Sequence, residues 1–354
     1  MATATPGQVF MKKNHGNASM AHHGPLACGW MSLLHPIHGN RSRGMYDHSG
    51  LTAEEVELLP SEEDVRLYSE RGWYLSEKLL TDAEVDTLTD ASERYYAGQR
   101  DRELPKRPDR LADWTPADGD VQRNNDYIHY QDETMRKILR KPIIGAVAAR
   151  LAQTPSIRVF QATLIYKPPI AEEKSNIVSW HFDKYFWPTC SSDEMLTAFI
   201  PFHDCTEESG TITMVNGSHR WRHRHGAARP VGDPRDVGRD YLLNGDAERN
   251  GAVVEKVPVH IPKGHMTFHH CLLYHGSGAN RSPRPRRAIS FHLQDGTNAY
   301  RDHTLSDGRQ EPYKHDFLVR GTPAGQPDYS DPEFCPVLWP VREGDGPEAS
   351  FTGE

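Results

Sequence analysis

The chain runs to 354 residues, 36% of them apolar and 25% charged, which suits a soluble globular protein built as one decorated domain. A net charge of −8 argues against general affinity for nucleic acid or an anionic membrane surface, and no stretch reaches the ~20 apolar residues of a membrane span. Five cysteines, odd in number and without a CxxC pair, exclude a disulfide framework or a zinc ribbon and suit a reducing, cytoplasmic setting.

Residues 1 to 50 are rich in His, Gly, Asn and Met without periodicity, and predict a poorly ordered extension. It lacks the apolar core of a signal peptide, and Met45 is an alternative start. Residues 51 to 340 read as a single domain and residues 341 to 354 as a flexible tail. Order is expected from Ser61, where an N-cap and three acidic residues open a helix with Val65, Leu67 and Tyr68 on its apolar face. Gly72 ends it and Trp73-Tyr74-Leu75 reads as a strand. Thr81 and Glu84 form a capping box for a second helix through Val85 and Leu88. Residues 100 to 125 are charged and Pro-rich and read as loop, and Pro142 opens a helix over IIGAVAARLA.

From residue 156 the period changes to that of strands. Ile157 to Tyr166, Leu196 to Phe202, Thr211 to Val215, Val257 to Ile261, Met266 to His269 and Ala288 to Leu293 are short strands between turn residues. The chain carries 28 Gly and 26 Pro, as many turns require, and has no βαβ alternation or nucleotide loop. This is a mainly β architecture, a sandwich or jelly roll over residues 156 to 295, with helices before and beside it. Residues 221 to 253 have little strand character and read as a long loop, a candidate lid. The basic run HRWRHRH, from His219 to His225, reads as a solvated loop.

His181-Phe-Asp183 closes an expected strand, after Ser179-Trp180. Residues i and i+2 of an extended chain point to one side, so this pair can converge on a metal. Alone the spacing is weak evidence. His275 is the best candidate for a third ligand, because Gly-Ser-Gly after it predicts a tight turn that leaves the imidazole at a strand end. Two His and one carboxylate on a face leave positions open for a bidentate oxo-acid and O2, the facial triad of non-haem Fe(II) oxygenases. Arg281, Arg284, Arg286 and Arg287 follow in NRSPRPRRAIS. A forked guanidinium inside a barrel suits a carboxylate, and Arg286 is placed to return on the adjacent strand, while Arg281 and Arg284 read as surface charge.

These segments resemble, in order, the phytanoyl-CoA dioxygenase family of 2-oxoglutarate oxygenases. The likeness runs from EDVRLYSERGWYLSEKLLTDAEV through ATLIYKPP, HFD and TEESGTITMVNGSHRW to HHCLLYHGSGANRSPRPRRAIS, roughly residues 61 to 295. The resemblance implies a double-stranded β-helix, or jelly roll. It implies Fe(II), 2-oxoglutarate and O2 as cofactor and co-substrates. It also implies iron ligands at His181, Asp183 and His275, and a grip on the far carboxylate of 2-oxoglutarate by Arg286 and Ser277. Gln161 and Thr163 fall on positions lining the co-substrate pocket. Halogenating relatives replace the carboxylate ligand by a small residue, so Asp183 implies hydroxylation or another oxidation. One departure is Gly264-His265, where the family often has Gly-Asp; that position is expected to be structural.

His219, His269 and His270 are rival metal-site histidines and read instead as structural. Trp180, Phe182 and Phe199 read as core aromatics and Cys190 and Cys271 as buried thiols. The expected partner is a small-molecule metabolite, with a secondary-metabolite intermediate the leading expectation, and a CoA thioester is disfavoured by the lack of a concentrated basic patch outside HRWRHRH. Two alternatives stay open: a cupin-like metal dioxygenase or hydrolase without an oxo-acid, and a catalytically silent binding protein. Oligomeric state is not legible in the sequence.

Overall fold

A computed structural model of the chain describes residues 48, 50–169, 176–223, 240–305 and 307–341. The expected N-terminal extension, save residues 48 and 50, and the tail beyond residue 341 lie outside the described residues.

Three helices open the described chain: α1 (Ala53–Glu57), α2 (Glu62–Arg71) and α3 (Asp82–Tyr96). Each begins with a capping box, formed by Thr52 with Glu55, Ser61 with Asp64, and Thr81 with Glu84. Order therefore starts before Ser61, and Thr52 carries the same signal that was read there. Gly72 ends α2 at φ +83° and leads into β1 (Trp73–Leu75). The loop expected over residues 100 to 125 ends in a strand, β2 (Arg123–Asp126), followed by the short helices α4 (Ile128–Gln131) and α5 (Glu133–Leu139). Then comes α6 (Pro142–Leu151), with Pro142 in its first turn.

The strands that follow are β3 (Ile157–Lys167), β4 (Val178–His181), β5 (Leu196–Pro201), β6 (Ile212–Val215), β7 (Lys256–Pro258), β8 (Thr267–His270), β9 (His275–Ser277), β10 (Arg286–Asp295) and β11 (Val337–Trp339). Two sheets result, with every pairing antiparallel. The larger runs β1-β8-β5-β10-β3-β11 with β2 also on β3, and the smaller runs β4-β9-β6-β7. The expected jelly roll is the architecture found. Two details differ from expectation. The strand expected over Val257 to Ile261 ends at Pro258, and Ile261 keeps only a bridge to Cys205. Gly276 and Ser277 extend β9 instead of turning, because Ile212 to Met214 and Val178 to His181 supply partners on both sides.

Alternation sorts the large sheet into two faces. Ala162 and Leu164 of β3, Leu196, Ala198 and Ile200 of β5, and Ile289, Phe291 and Leu293 of β10 turn outward. They pack on Val85, Leu88 and Tyr95 of α3 and on Ile143, Ile144 and Val147 of α6. Each fully buried Leu, Ile, Val or Phe among them contributes ~1.5–3 kcal/mol, and each alanine less. The opposite parity faces a cavity between the sheets, lined by Gln161 and Thr163 of β3, Phe199 of β5, and Arg286, Ser290 and His292 of β10.

The segment 221 to 253 is not loop throughout, since it contains α7 (Tyr241–Asn250); residues 224 to 239 lie outside the described residues. Asp246 of α7 is buried, accepts a 2.8 Å hydrogen bond from the Tyr274 hydroxyl and lies 3.3 Å from Nδ1 of His223. His223 is thus packed against a carboxylate, which corrects the reading of that stretch as a solvated loop. Among the described residues no helix is long and apolar enough to cross a membrane.

Candidate active site

His181 is the last residue of β4, and Phe182 keeps the chain extended at φ −124° and ψ 141° before a 3-10 turn over Asp183–Phe186. Alternation therefore continues past the strand end and His181 and Asp183 share a side. His275 is the cross-strand partner of His181 in the β4–β9 pairing, with ring centroids 4.2 Å apart. Nε2 of His181 is 3.8 Å and Nε2 of His275 3.6 Å from Oδ1 of Asp183. The three ligand atoms all lie within 4.8 Å of one another, the one such group among the described residues.

The surrounding hydrogen bonds fix the state of each donor. Nδ1 of His181 lies 2.8 Å from the Ser179 carbonyl and Nδ1 of His275 lies 3.0 Å from the Leu273 carbonyl. A carbonyl only accepts, so Nδ1 carries the proton in both rings and Nε2 presents its lone pair to the cavity. Burial, and then the neighbouring imidazoles, pull both rings down to about 4, so both are neutral at pH 7. Burial pushes the Asp183 carboxyl up, but His275 and a hydrogen bond from His269 outweigh it and hold the group well below its usual range. Oδ2 of Asp183 accepts from the Thr197 hydroxyl at 2.6 Å and from Nε2 of His269 at 3.2 Å. Thr197 in turn lies 2.8 Å from Nδ1 of His292. Two neutral imidazoles and one carboxylate, each oriented from behind, fit a divalent iron held on one face with open positions opposite.

Arg286 begins β10 opposite Lys167 at the end of β3, and both side chains are buried. Nζ of Lys167 donates to Oγ of Ser277 at 2.6 Å and to the Gly278 carbonyl at 2.7 Å. Nε of Arg286 has no hydrogen-bond partner, and among the described residues neither cation pairs with a carboxylate. Burial pulls the Arg286 guanidinium down, and burial and then Arg286 pull the Lys167 ammonium well down. Two adjacent buried cations without a counter-ion are costly unless an anion enters. Ser277 accepts from Lys167, which leaves its own proton to donate. This corner fits the far carboxylate of an oxo-acid.

Gln161 and Thr163 line the cavity and are tied to Asp126, whose Oδ1 accepts from Nε2 of Gln161 and Oγ1 of Thr163, each at 2.8 Å. Tyr313 donates to Oε1 of Gln161 at 2.5 Å and Lys314 pairs with Oδ2 of Asp126. None of the rival histidines is part of the ligand group, although His269 stands beside it. Nε2 of His219 is 3.1 Å from the Ser69 carbonyl, His270 sits 3.7 Å from Glu194, and His269 backs Asp183. His265 reaches the Ser76 carbonyl at 2.8 Å. Arg281 and Arg284 are exposed. Trp180 lies under Lys256, Phe182 packs with Tyr274 and Leu243, and Phe199 is buried in the cavity wall with Arg286 over its ring at 5.3 Å. The four described cysteines are free and buried; burial pushes Cys190 up to about 12 and Cys271 well up.

Sequence reasoning missed Lys167, Thr197, His292, Asp126, Tyr313 and Lys314. Lys167 and His292 had a signal, since each shares strand parity with a residue already chosen: Thr163 on β3 and Arg286 on β10.

The family model for phytanoyl-CoA dioxygenase matches residues 68–288. The peroxisomal phytanoyl-CoA dioxygenase of Bos taurus is 26% identical over 252 residues, 68% of this chain and 70% of that protein. The ectoine dioxygenase of Bordetella parapertussis is 24% identical over 244 residues, 65% of this chain and 73% of that protein. Among solved structures, the epimerase SnoN in complex with Fe3+, alpha ketoglutarate and nogalamycin RO superposes with a TM-score of 0.57 at 24% identity, over 78% of this chain and 98% of that one. EctD from S. alaskensis with 2-oxoglutarate and 5-hydroxyectoine gives 0.56 at 22% identity, over 79% and 89%.

Proposed function

Because this chain belongs to the phytanoyl-CoA dioxygenase family and is an Fe(II)- and 2-oxoglutarate-dependent dioxygenase, we propose that His181, Asp183 and His275 hold the iron and that Arg286, Lys167 and Ser277 hold the far carboxylate of 2-oxoglutarate. The observation that carries this is the placement of three deprotonated ligand atoms and the buried Arg286 guanidinium in one cavity, with Lys167 bonded to the lining residue Ser277 from behind. Gln161 and Thr163, braced by Asp126, complete the wall of the co-substrate pocket. The substrate is a small-molecule metabolite, a secondary-metabolite intermediate in this reading, oxidised by hydroxylation or a related step rather than halogenated, since Asp183 occupies the carboxylate position. Free, buried cysteines suit a reducing, cytoplasmic setting.

Iron held by His181, Asp183 and His275 would supply the redox chemistry that couples conversion of 2-oxoglutarate and O2 to succinate and CO2 with oxidation of the substrate. The chain's own residues do the positioning. Nδ1–H bonds to the carbonyls of Ser179 and Leu273 hold the two Nε2 lone pairs on target. Thr197 and His269 occupy Oδ2 of Asp183 and leave Oδ1 toward the imidazoles. Arg286 fixes the co-substrate at its far end, and the cavity walls exclude water once the site is filled.

A metal enzyme without an oxo-acid would have no use for the Arg286–Lys167 pair. The test is an anaerobic titration of apo-protein with Fe(II) and 2-oxoglutarate, following the charge-transfer band near roughly 500 nm that reports bidentate chelation at an open facial site. We expect the band in the natural sequence and its loss in Arg286→Ala with iron still bound. Iron binding without a band in the natural sequence would exclude the oxo-acid reading.

A further inference from the structure

The cavity that contains the triad has a volume of about 1490 Å3, above the ~300–1,000 Å3 usual for small-ligand sites. On the reading above, 2-oxoglutarate would take only the corner at Arg286 and Ser277. Among the described residues four large hydrophobic side chains are exposed: Val121, Phe186, Val253 and Phe317. Single exposed apolar residues are ordinary, but three of these four line this one cavity. They come from separate segments: Val121 from the loop before β2, Phe186 from the turn after β4, and Phe317 from the 3-10 turn Lys314–Phe317. The ring of Phe186 meets the ring of His181 edge-on at 5.6 Å, so the apolar wall begins at the triad and runs outward.

Most of the cations around the same opening are occupied by neighbouring carboxylates; Arg301 is the exception and reaches only the Pro188 carbonyl, at 3.5 Å. Arg110 pairs with Glu311 at 3.3 Å, His303 lies 3.8 Å from Glu311, and Arg309 pairs with Asp307 at 2.7 Å. Asp109 and Asp118 add negative charge to the lining, while Asp113 is paired with Arg107. A CoA thioester would bring several phosphate charges to this rim, where among the described residues no cluster of free cations receives them.

From this arrangement, and resting on the iron and 2-oxoglutarate reading above, we propose that the substrate is a bulky, uncharged, largely apolar molecule without phosphate groups. Its carbon skeleton lies against Phe186, Phe317 and Val121, and one of its C–H bonds reaches the triad. This selects for large apolar bodies against both small zwitterions and acyl-CoA, although the family takes its name from an acyl-CoA.

The experiment uses the full chain loaded anaerobically with Fe(II) and 2-oxoglutarate, with N-phenyl-1-naphthylamine, a neutral apolar fluorophore, as the probe. We expect saturable binding that weakens about tenfold in Phe317→Ser and by a smaller factor in Val121→Ser, in line with the area each side chain covers. Val253→Ser, outside the cavity, serves as the control and binds as the natural sequence does. All three residues are exposed, so the variants keep the fold and the charge-transfer band. Absence of binding, equal binding by Phe317→Ser and Val253→Ser, or displacement of the probe by coenzyme A would overturn the proposal. Loss of the charge-transfer band in the natural sequence, with probe binding intact, would instead strike the cofactor reading and leave the apolar mouth standing.

Discussion

Asp183 divides its two oxygens: Oδ2 is held by Thr197 and His269 while Oδ1 faces the imidazoles, so its geometry is set before any metal arrives. Lys167 is placed with similar economy, since one ammonium donates to Ser277 and Gly278 and adds its charge to that of Arg286. Folding a lone cation into such a place is unfavourable, and the stability cost is offset only when an anion binds. Lys167→Met should therefore leave the apo-protein no less stable while weakening 2-oxoglutarate binding ~10–100-fold, the value of one or two charge-assisted hydrogen bonds. Thermal melts of the apo-protein and titration of the charge-transfer band check both halves; unchanged affinity would remove Lys167 from the site. The HFD triplet, His275 and Arg286 could be picked from the sequence because their residue types and spacing are unusual for pure packing. Lys167 and His292 could not be picked by type, because a lysine or histidine in a strand reads as solvent-facing until the parity of a known neighbour is applied. Asp126, Tyr313 and Lys314 come from distant segments, and only the fold brings them to Gln161.

Elements that carry their own signals were legible: α2 by its N-cap, α3 by its capping box, and β3, β5 and β10 because they are long enough to show a period, whereas the five-residue α1 was missed although Thr52 and Glu55 form the same box. Those missed or misplaced are short and made by their partners. The three-residue β9 exists because β4 and β6 flank it, and β11 exists because the end of β3 has a free edge. α7 was read as loop because Asn244, Gly245, Asp246 and Asn250 are poor helix formers; burial of Leu243 and the Asp246–Tyr274 bond compensate. The α2–β1 junction shows how one position can decide an element boundary. Gly72 sits at φ +83°, and a Cβ there would meet Nδ1 of His219 at 2.4 Å and Cδ1 of Leu273 at 2.7 Å. Gly72→Ala thus faces both a left-handed backbone and a collision, and should cost ~1–3 kcal/mol. Leu273 lies two residues before His275, so the repacking should also lower Fe(II) affinity. Urea unfolding and an iron titration measure the two effects, and an unchanged midpoint would show that the junction yields without strain.

At the scale of the molecule, buried histidines tie the segments together. His129 of α4 uses both ring nitrogens: Nε2 donates to the Phe334 carbonyl at 3.1 Å and Nδ1 accepts from the Ala162 amide at 3.2 Å. One ring thus joins the helical layer, β3 and the C-terminal segment, and it can do so only when neutral. His315 packs on Tyr127, Phe160 and Tyr329 with Nε2 3.1 Å from Sγ of Cys335. Burial pulls both imidazoles down to about 3, from an ordinary value of 6.5. The folded value lies below the unfolded one, so below pH 6.5 the unfolded chain takes up protons that the folded chain refuses. The stabilisation is complete above pH 6.5 and is lost as pH falls toward 3, by about 1.4 kcal/mol per pH unit for each ring. Asp183, also held low, loses its contribution only below the ordinary carboxylate range and does not enter between pH 7 and 5. The apo-protein should therefore melt at a progressively lower temperature from pH 7 to pH 5, by on the order of 5 °C or more. His129→Gln, which can donate and accept through its amide without titrating, should flatten part of that slope whatever its effect at pH 7. A melting temperature constant across this window would mean that the interior admits water to these rings and that the layers are joined less tightly than the hydrogen bonds imply.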